Sequence, residues 1–81
     1  MGYHKTKIKK GKIGEISKIQ EELDELKDAE DQNVKIMAMV ELSDLYGALQ
    51  LYAKEKYDLS MKDLEKMSKL TQNAFKTGAR K

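Results

Sequence analysis

Between Met37 and Tyr52 the chain reads MAMVELSDLYGALQLY, and the chain contains no proline anywhere. A run this apolar and this continuous can hardly be anything but a central helix. At about 100° per residue, Ala38, Leu42, Leu45, Leu49 and Tyr52 fall on one stripe, with Met37, Val40, Ala48 and Leu51 beside it. More than half of the circumference is apolar, so the helix must be covered on more than one side. No segment alternates apolar with polar long enough to make a strand. The fold class is therefore all-α.

Two further helices flank the central one. Ile16, Ile19, Leu23 and Leu26 recur at helical spacing, which predicts a helix from about Gly14 to about Glu30, broken by the polar cluster EDQN. The second helix then runs from about Val34 to Lys56. Ser60 is placed as an N-cap with Asp63 three residues on, and Leu64, Met67, Leu70, Thr71, Ala74 and Phe75 share one side of a third helix that Gly78 is placed to end. Residues 1–12 carry no core-facing pattern and read as a flexible or ligand-ordered basic arm; residues 13–81 read as a single helical domain.

A chain of 81 residues without cysteine has no disulfide to stabilise it. A metal or self-association remains. Three helices bury little alone, so the expected architecture is a helical-bundle homodimer or homotetramer in which a second chain covers the surplus apolar face.

Charge narrows the function classes. Sixteen Lys+Arg against 14 Asp+Glu give a net +2, too small for the total to argue for nucleic acid or a membrane surface. The distribution is uneven: basic from Lys5 to Lys12, acidic from Glu15 to Asp31, basic again from Lys62 to Lys81. That layout suits an anionic ligand held between basic ends and a metal-neutralised middle, and it also suits a plain solvated surface. No apolar run approaches the roughly 20 residues of a membrane span, and the N-terminus has no signal-type apolar region, so the expected location is cytoplasmic. Nucleic-acid binding ranks low because the basic arm has no interleaved aromatics beyond Tyr3. No cysteine nucleophile, glycine-rich phosphate loop or histidine-based triad is present.

The unusual feature is acidic. Glu41 lies roughly 40° from Leu45, inside the apolar arc of the central helix, and Asp44 shares its side. No Lys or Arg stands one turn away on that side. An unpaired buried carboxylate costs several kcal/mol, so a basic residue from another helix, a helix N-terminus, protonation or a bound cation must compensate. The first helix carries a second set, Glu21, Glu22 and Glu25, in QEELDEL. Carboxylates at i and i+3 lie about 5 Å apart, close enough to share one hard divalent ion with waters completing its shell. A solvated acidic helix face produces the same spacing.

EELDEL (Glu21 to Leu26), followed by ELSD (Glu41 to Asp44), resembles the paired EExxE and ExxD signature of the MazG-like all-α nucleoside triphosphate pyrophosphohydrolases. VELSDLYGAL is similar to that family's central helix and LEKMSKLTQNAFKTGAR to its closing helix, so the resemblance spans roughly residues 14 to 80. It implies that Glu22, Glu25, Glu41 and Asp44 ligate Mg²⁺, with Mn²⁺ as an alternative. Glu21 and Glu22 take catalytic roles, Glu21 orienting water, and Asp28 lies one further turn along the same face. It further implies phosphate contacts from Lys66, Lys69, Asn73 and Lys76, with Arg80 near the end of the closing helix, and a nucleotide site near a subunit interface. The usual helix before EExxE is replaced here by the basic arm, whose Tyr3 and His4 could stack on or hydrogen-bond a base. Short versions of this kind resemble proteins encoded by bacteriophages, which would place the chain in a host cytoplasm.

The expected function is Mg²⁺-dependent hydrolysis of a nucleoside triphosphate or related nucleotide to a monophosphate and pyrophosphate. Two alternatives belong to other classes: a non-catalytic protein that binds or sequesters a nucleotide, and a structural helical oligomer whose carboxylates pair with lysines.

Overall fold

The computed structural model describes residues 4–76, and among these there are three α-helices and no strand. Helix α1 spans Ile16–Asp31, α2 spans Lys35–Tyr57 and α3 spans Met61–Lys76. Each begins or ends within two residues of its expected boundary. Tyr3, Gly78 and Arg80 lie outside the described residues.

The helix ends have local causes. After α1, Asn33 takes a left-handed conformation (φ 59°), its N–H donates to Glu30 O at 2.9 Å and the Val34 N–H reaches Ala29 O at 3.3 Å. This is the reversal that lets two helices fold back on each other, with Asn in the place more often held by Gly. Asp58 (φ 55°) ends α2 in the same conformation, and Lys54 Nζ donates to its carboxylate at 2.6 Å. Ser60 and Asp63 then cap α3 reciprocally: the Asp63 N–H donates to Ser60 Oγ at 3.1 Å and the Ser60 N–H to Asp63 Oδ2 at 2.9 Å.

Helices α1 and α2 pack against each other as an antiparallel pair joined by a short connection. Their seam is small-sided: the buried apolar residues among those described are Ala29, Ala48 and Ala53. Much of the expected core is left uncovered. Leu42, Leu49, Val40 and Leu51 of α2 are exposed, as are Ile16 and Leu23 of α1 and Met67, Leu70 (70%) and Phe75 of α3. Helix α3 buries none of its residues. The Cα radius of gyration is 15.2 Å, against about 12 Å for a compact domain of this length. On α2, Met39, Leu42, Tyr46 and Leu49 are all exposed, and their 3-4-3 spacing is that of a helix-pairing seam.

The arm is ordered rather than patternless where it is described. The Gly11 N–H donates to Glu21 Oε1 at 2.8 Å, and the Lys12 N–H to Ser17 Oγ at 3.0 Å. Gly11 lies so close to α1 that a Cβ there would stand 2.1 Å from Ser17 O, which is why the position takes no side chain. Gly14 turns the chain into α1 at φ 86°.

Candidate metal centre

The buried centre of the α1–α2 pair is made of carboxylates. Glu41 is fully buried (0% exposed), and Glu21, Glu22 and Asp28 are buried with it; Glu41 is the largest side chain so enclosed. Glu21, Glu25 and Asp28 follow i, i+4 and i+7 spacing along one face of α1, with Glu22 beside them, and Glu41 meets them from α2. Asp44, one turn on, stands exposed at the rim.

Carboxylate oxygens of Glu22, Glu41 and Asp44 lie within 4.8 Å of one another, as do those of Glu21, Glu22 and Glu25. Of the four carboxylates expected to share one ion, Glu22 groups with Glu25 on one side and with Glu41 and Asp44 on the other, while Glu25 and Asp44 share no group. Their charges push on each other. Burial and the neighbouring Glu22 and Glu41 raise the Glu25 carboxyl above its usual range. Burial and Glu41 do the same to Asp44.

Cationic compensation is local and partial. Lys18 Nζ lies 3.1 Å from both Glu21 Oε1 and Glu22 Oε2. Burial alone would raise the Glu21 carboxyl, but the Gly11 N–H and Lys18 outweigh it and hold the group below its usual range. Lys18 in turn is displaced by burial downward and, more strongly, by Glu21 and Glu22 upward. The other oxygen of Glu22, Oε1, is buried without a hydrogen-bond partner, on a side chain only 8% exposed. A buried acceptor left in this state is destabilising by about 1–3 kcal/mol, and a bound divalent cation would satisfy it while offsetting the neighbouring like charges. The donor set, all oxygen with a solvent-facing rim, fits a hard cation that keeps waters.

His4 is where sequence reasoning reached least far. On an arm expected to be flexible or ligand-ordered, it is seated among the acids, with Nδ1 2.8 Å from Asp28 Oδ2 and Nε2 3.1 Å from Glu41 Oε2 and 3.5 Å from Glu25 Oε1. Asp28 is the anchor of the arm: besides His4 it accepts from the Lys5 N–H (3.0 Å), the Thr6 N–H (3.3 Å), Thr6 Oγ1 (3.1 Å) and Gln32 Nε2 (3.0 Å). The available signal was Asp28 continuing the Glu21/Glu25 face, together with the single histidine of the chain. A cleft of about 170 Å³ beside the cluster is lined by His4, Thr6, Ile8, Lys10, Glu21 and Glu25. It has room for an ion and several waters but is smaller than a nucleotide-sized pocket.

Lys66, Lys69, Asn73 and Lys76 stand exposed on α3 and are not gathered into the buried acidic centre. No described helix is long and apolar enough to cross a membrane. Comparison with family models, curated proteins and solved structures finds no match for this chain.

Proposed function

We propose that this chain is a divalent-metal-dependent nucleotide pyrophosphohydrolase of the MazG-like all-α type, acting on a nucleoside triphosphate or a related nucleotide. The observation that carries the reading is that Glu22, which keeps a buried oxygen with no donor, groups with Glu25 on its own helix and with Glu41 and Asp44 of the next. These four residues would hold Mg²⁺. When bound, such an ion neutralises phosphate charge and lowers the pKa of coordinated water.

The chain's own groups divide the remaining work. Asp44, exposed at the rim, faces the side from which a charged triphosphate arrives. Glu21, kept ionised by the Gly11 N–H and Lys18, is suited to orient water by accepting its hydrogen bond, and the buried acids keep bulk solvent from the reacting side. The phosphate-binding role of Lys66, Lys69, Asn73 and Lys76 belongs to an assembly of two or more chains. Pairing along Met39, Leu42, Tyr46 and Leu49 would cover the exposed seam and bring basic stripes toward a neighbour's acids.

The test is a panel of nucleoside triphosphates incubated with the protein and Mg²⁺. Expected is release of pyrophosphate and monophosphate, abolished by Glu41→Gln and by Asp44→Asn. Tight nucleotide binding with the ligand recovered unchanged would assign the same site to sequestration, and the absence of both metal binding and turnover would refute the metal centre.

A further inference from the structure

We infer that His4 is a metal ligand, so that His4 Nε2, Glu25 and Glu41 form a mixed nitrogen–oxygen position selective for a first-row transition ion such as Zn²⁺ over Mg²⁺. The inference rests on the metal-centre reading above and adds to it a ligand contributed by the N-terminal arm.

Geometry carries it. Histidines that bind metals donate one ring nitrogen to a carboxylate, which sets the tautomer and aims the other nitrogen at the ion. Here Asp28 Oδ2 takes the Nδ1–H at 2.8 Å, and its two oxygens are fixed by four further donors, the Lys5 and Thr6 N–H groups, Thr6 Oγ1 and Gln32 Nε2. The ring cannot easily turn. Its Nε2 is hydrogen-bonded to Glu41 Oε2 at 3.1 Å and lies 3.5 Å from Glu25 Oε1, so an ion bound there takes the place of the Nε2 proton, which is released to solvent. Adjacent ligands on an ion with bonds of about 2.1 Å stand about 3.0 Å apart in an octahedron and about 3.4 Å in a tetrahedron. Both separations from Nε2 are edge lengths of such a shell, and the ligand atoms of all three residues lie within 4.8 Å of one another.

The second observation is Glu22 Oε1, buried without a hydrogen-bond partner in the same acidic nest, where Glu22 and Glu25 group together and Glu22 groups with Glu41. An imidazole nitrogen in the shell changes the metal. Carboxylate and water suit Mg²⁺ and Mn²⁺, whereas imidazole suits Fe²⁺, Ni²⁺ and Zn²⁺. The chemical class of the cofactor is therefore a borderline divalent ion, seated by an arm that is itself ordered by Asp28.

The chain has one histidine, so a single ring reports. The experiment loads the full chain with Mn²⁺ and records pulsed electron paramagnetic resonance, with natural-abundance and ¹⁵N-histidine protein. Expected is a ¹⁴N modulation that is replaced by a ¹⁵N signal on labelling and vanishes in His4→Gln. Mn²⁺ serves there as the paramagnetic probe; Zn²⁺ affinity in that variant should fall at least about tenfold, while Mg²⁺ affinity stays within about twofold. Bound Mn²⁺ without nitrogen modulation would overturn the inference and leave an all-carboxylate centre standing. No binding of either ion would overturn both.

Discussion

The ring of His4 and the carboxylate of Asp28, separated by 24 residues, meet at 2.8 Å, and this contact fastens the N-terminal arm onto the acidic face of α1. Replacing Asp28 with Asn removes the charge that gathers His4, Lys5, Thr6 and Gln32. The Asp28→Asn protein should keep its helices but release its arm, read as faster amide exchange and faster protease cleavage at Lys5 and Lys7.

The same anchor predicts an acid-sensitive arm. Burial alone would raise the Asp28 carboxyl, but the donors from His4, Lys5, Thr6 and Gln32 outweigh it and hold the group at about 2, against an ordinary 3.8. The folded state thus binds this proton less readily than the unfolded chain. Its contribution to stability is complete above 3.8 and lost as pH falls toward about 2. Thermal melts between pH 5 and pH 2 should show wild-type Tm falling more steeply than that of Asp28→Asn over this window.

Glu22→Gln separates metal binding from folding. Without metal it should melt at or above the wild-type temperature, since it removes a buried charge beside Glu25 and Glu41 while Lys18 keeps Glu21. In wild type, Mg²⁺ at about a hundredfold over Kd should raise Tm by roughly 15 °C through linkage. The variant should lose most of that rise, which differential scanning fluorimetry will read.

The exposed seam on α2 predicts self-association. Wild-type protein should sediment as an oligomer, and Leu42→Glu combined with Tyr46→Glu should give a monomer with unchanged helical circular dichroism per residue. A wild-type monomer at micromolar concentration would refute the seam.

At the α2–α3 junction, Ser60→Ala removes one half of the reciprocal cap. The expected loss is about 1 kcal/mol, visible as reduced helicity at intermediate temperature, because α3 buries no residue that would hold it in place.

The helices were legible because their signals are local. Spacing of apolar residues, the Ser60/Asp63 pair and the polar break at EDQN act within one or two turns. The acidic grouping was half legible: i, i+3 spacing puts Glu22 with Glu25 and Glu41 with Asp44, yet nothing local states that two helices will turn these faces toward each other. The docking of the arm left fainter marks, a glycine at position 11 and an aspartate at 28. Hydrogen bonds from backbone N–H groups to a distant carboxylate carry no residue-type signature on the donor side.

Periodicity and capping chemistry in the chain itself determined an all-helical molecule with carboxylates repeated on two helices. Tertiary structure decided which faces those helices share. Helices α1 and α2 pack so that Ala29, Ala48, Ala53 and Glu41 are buried, while Leu42 and Leu49 stay outside. Placement of His4 was decided there as well, because a long-range contact forms only once the surface that receives it has been assembled.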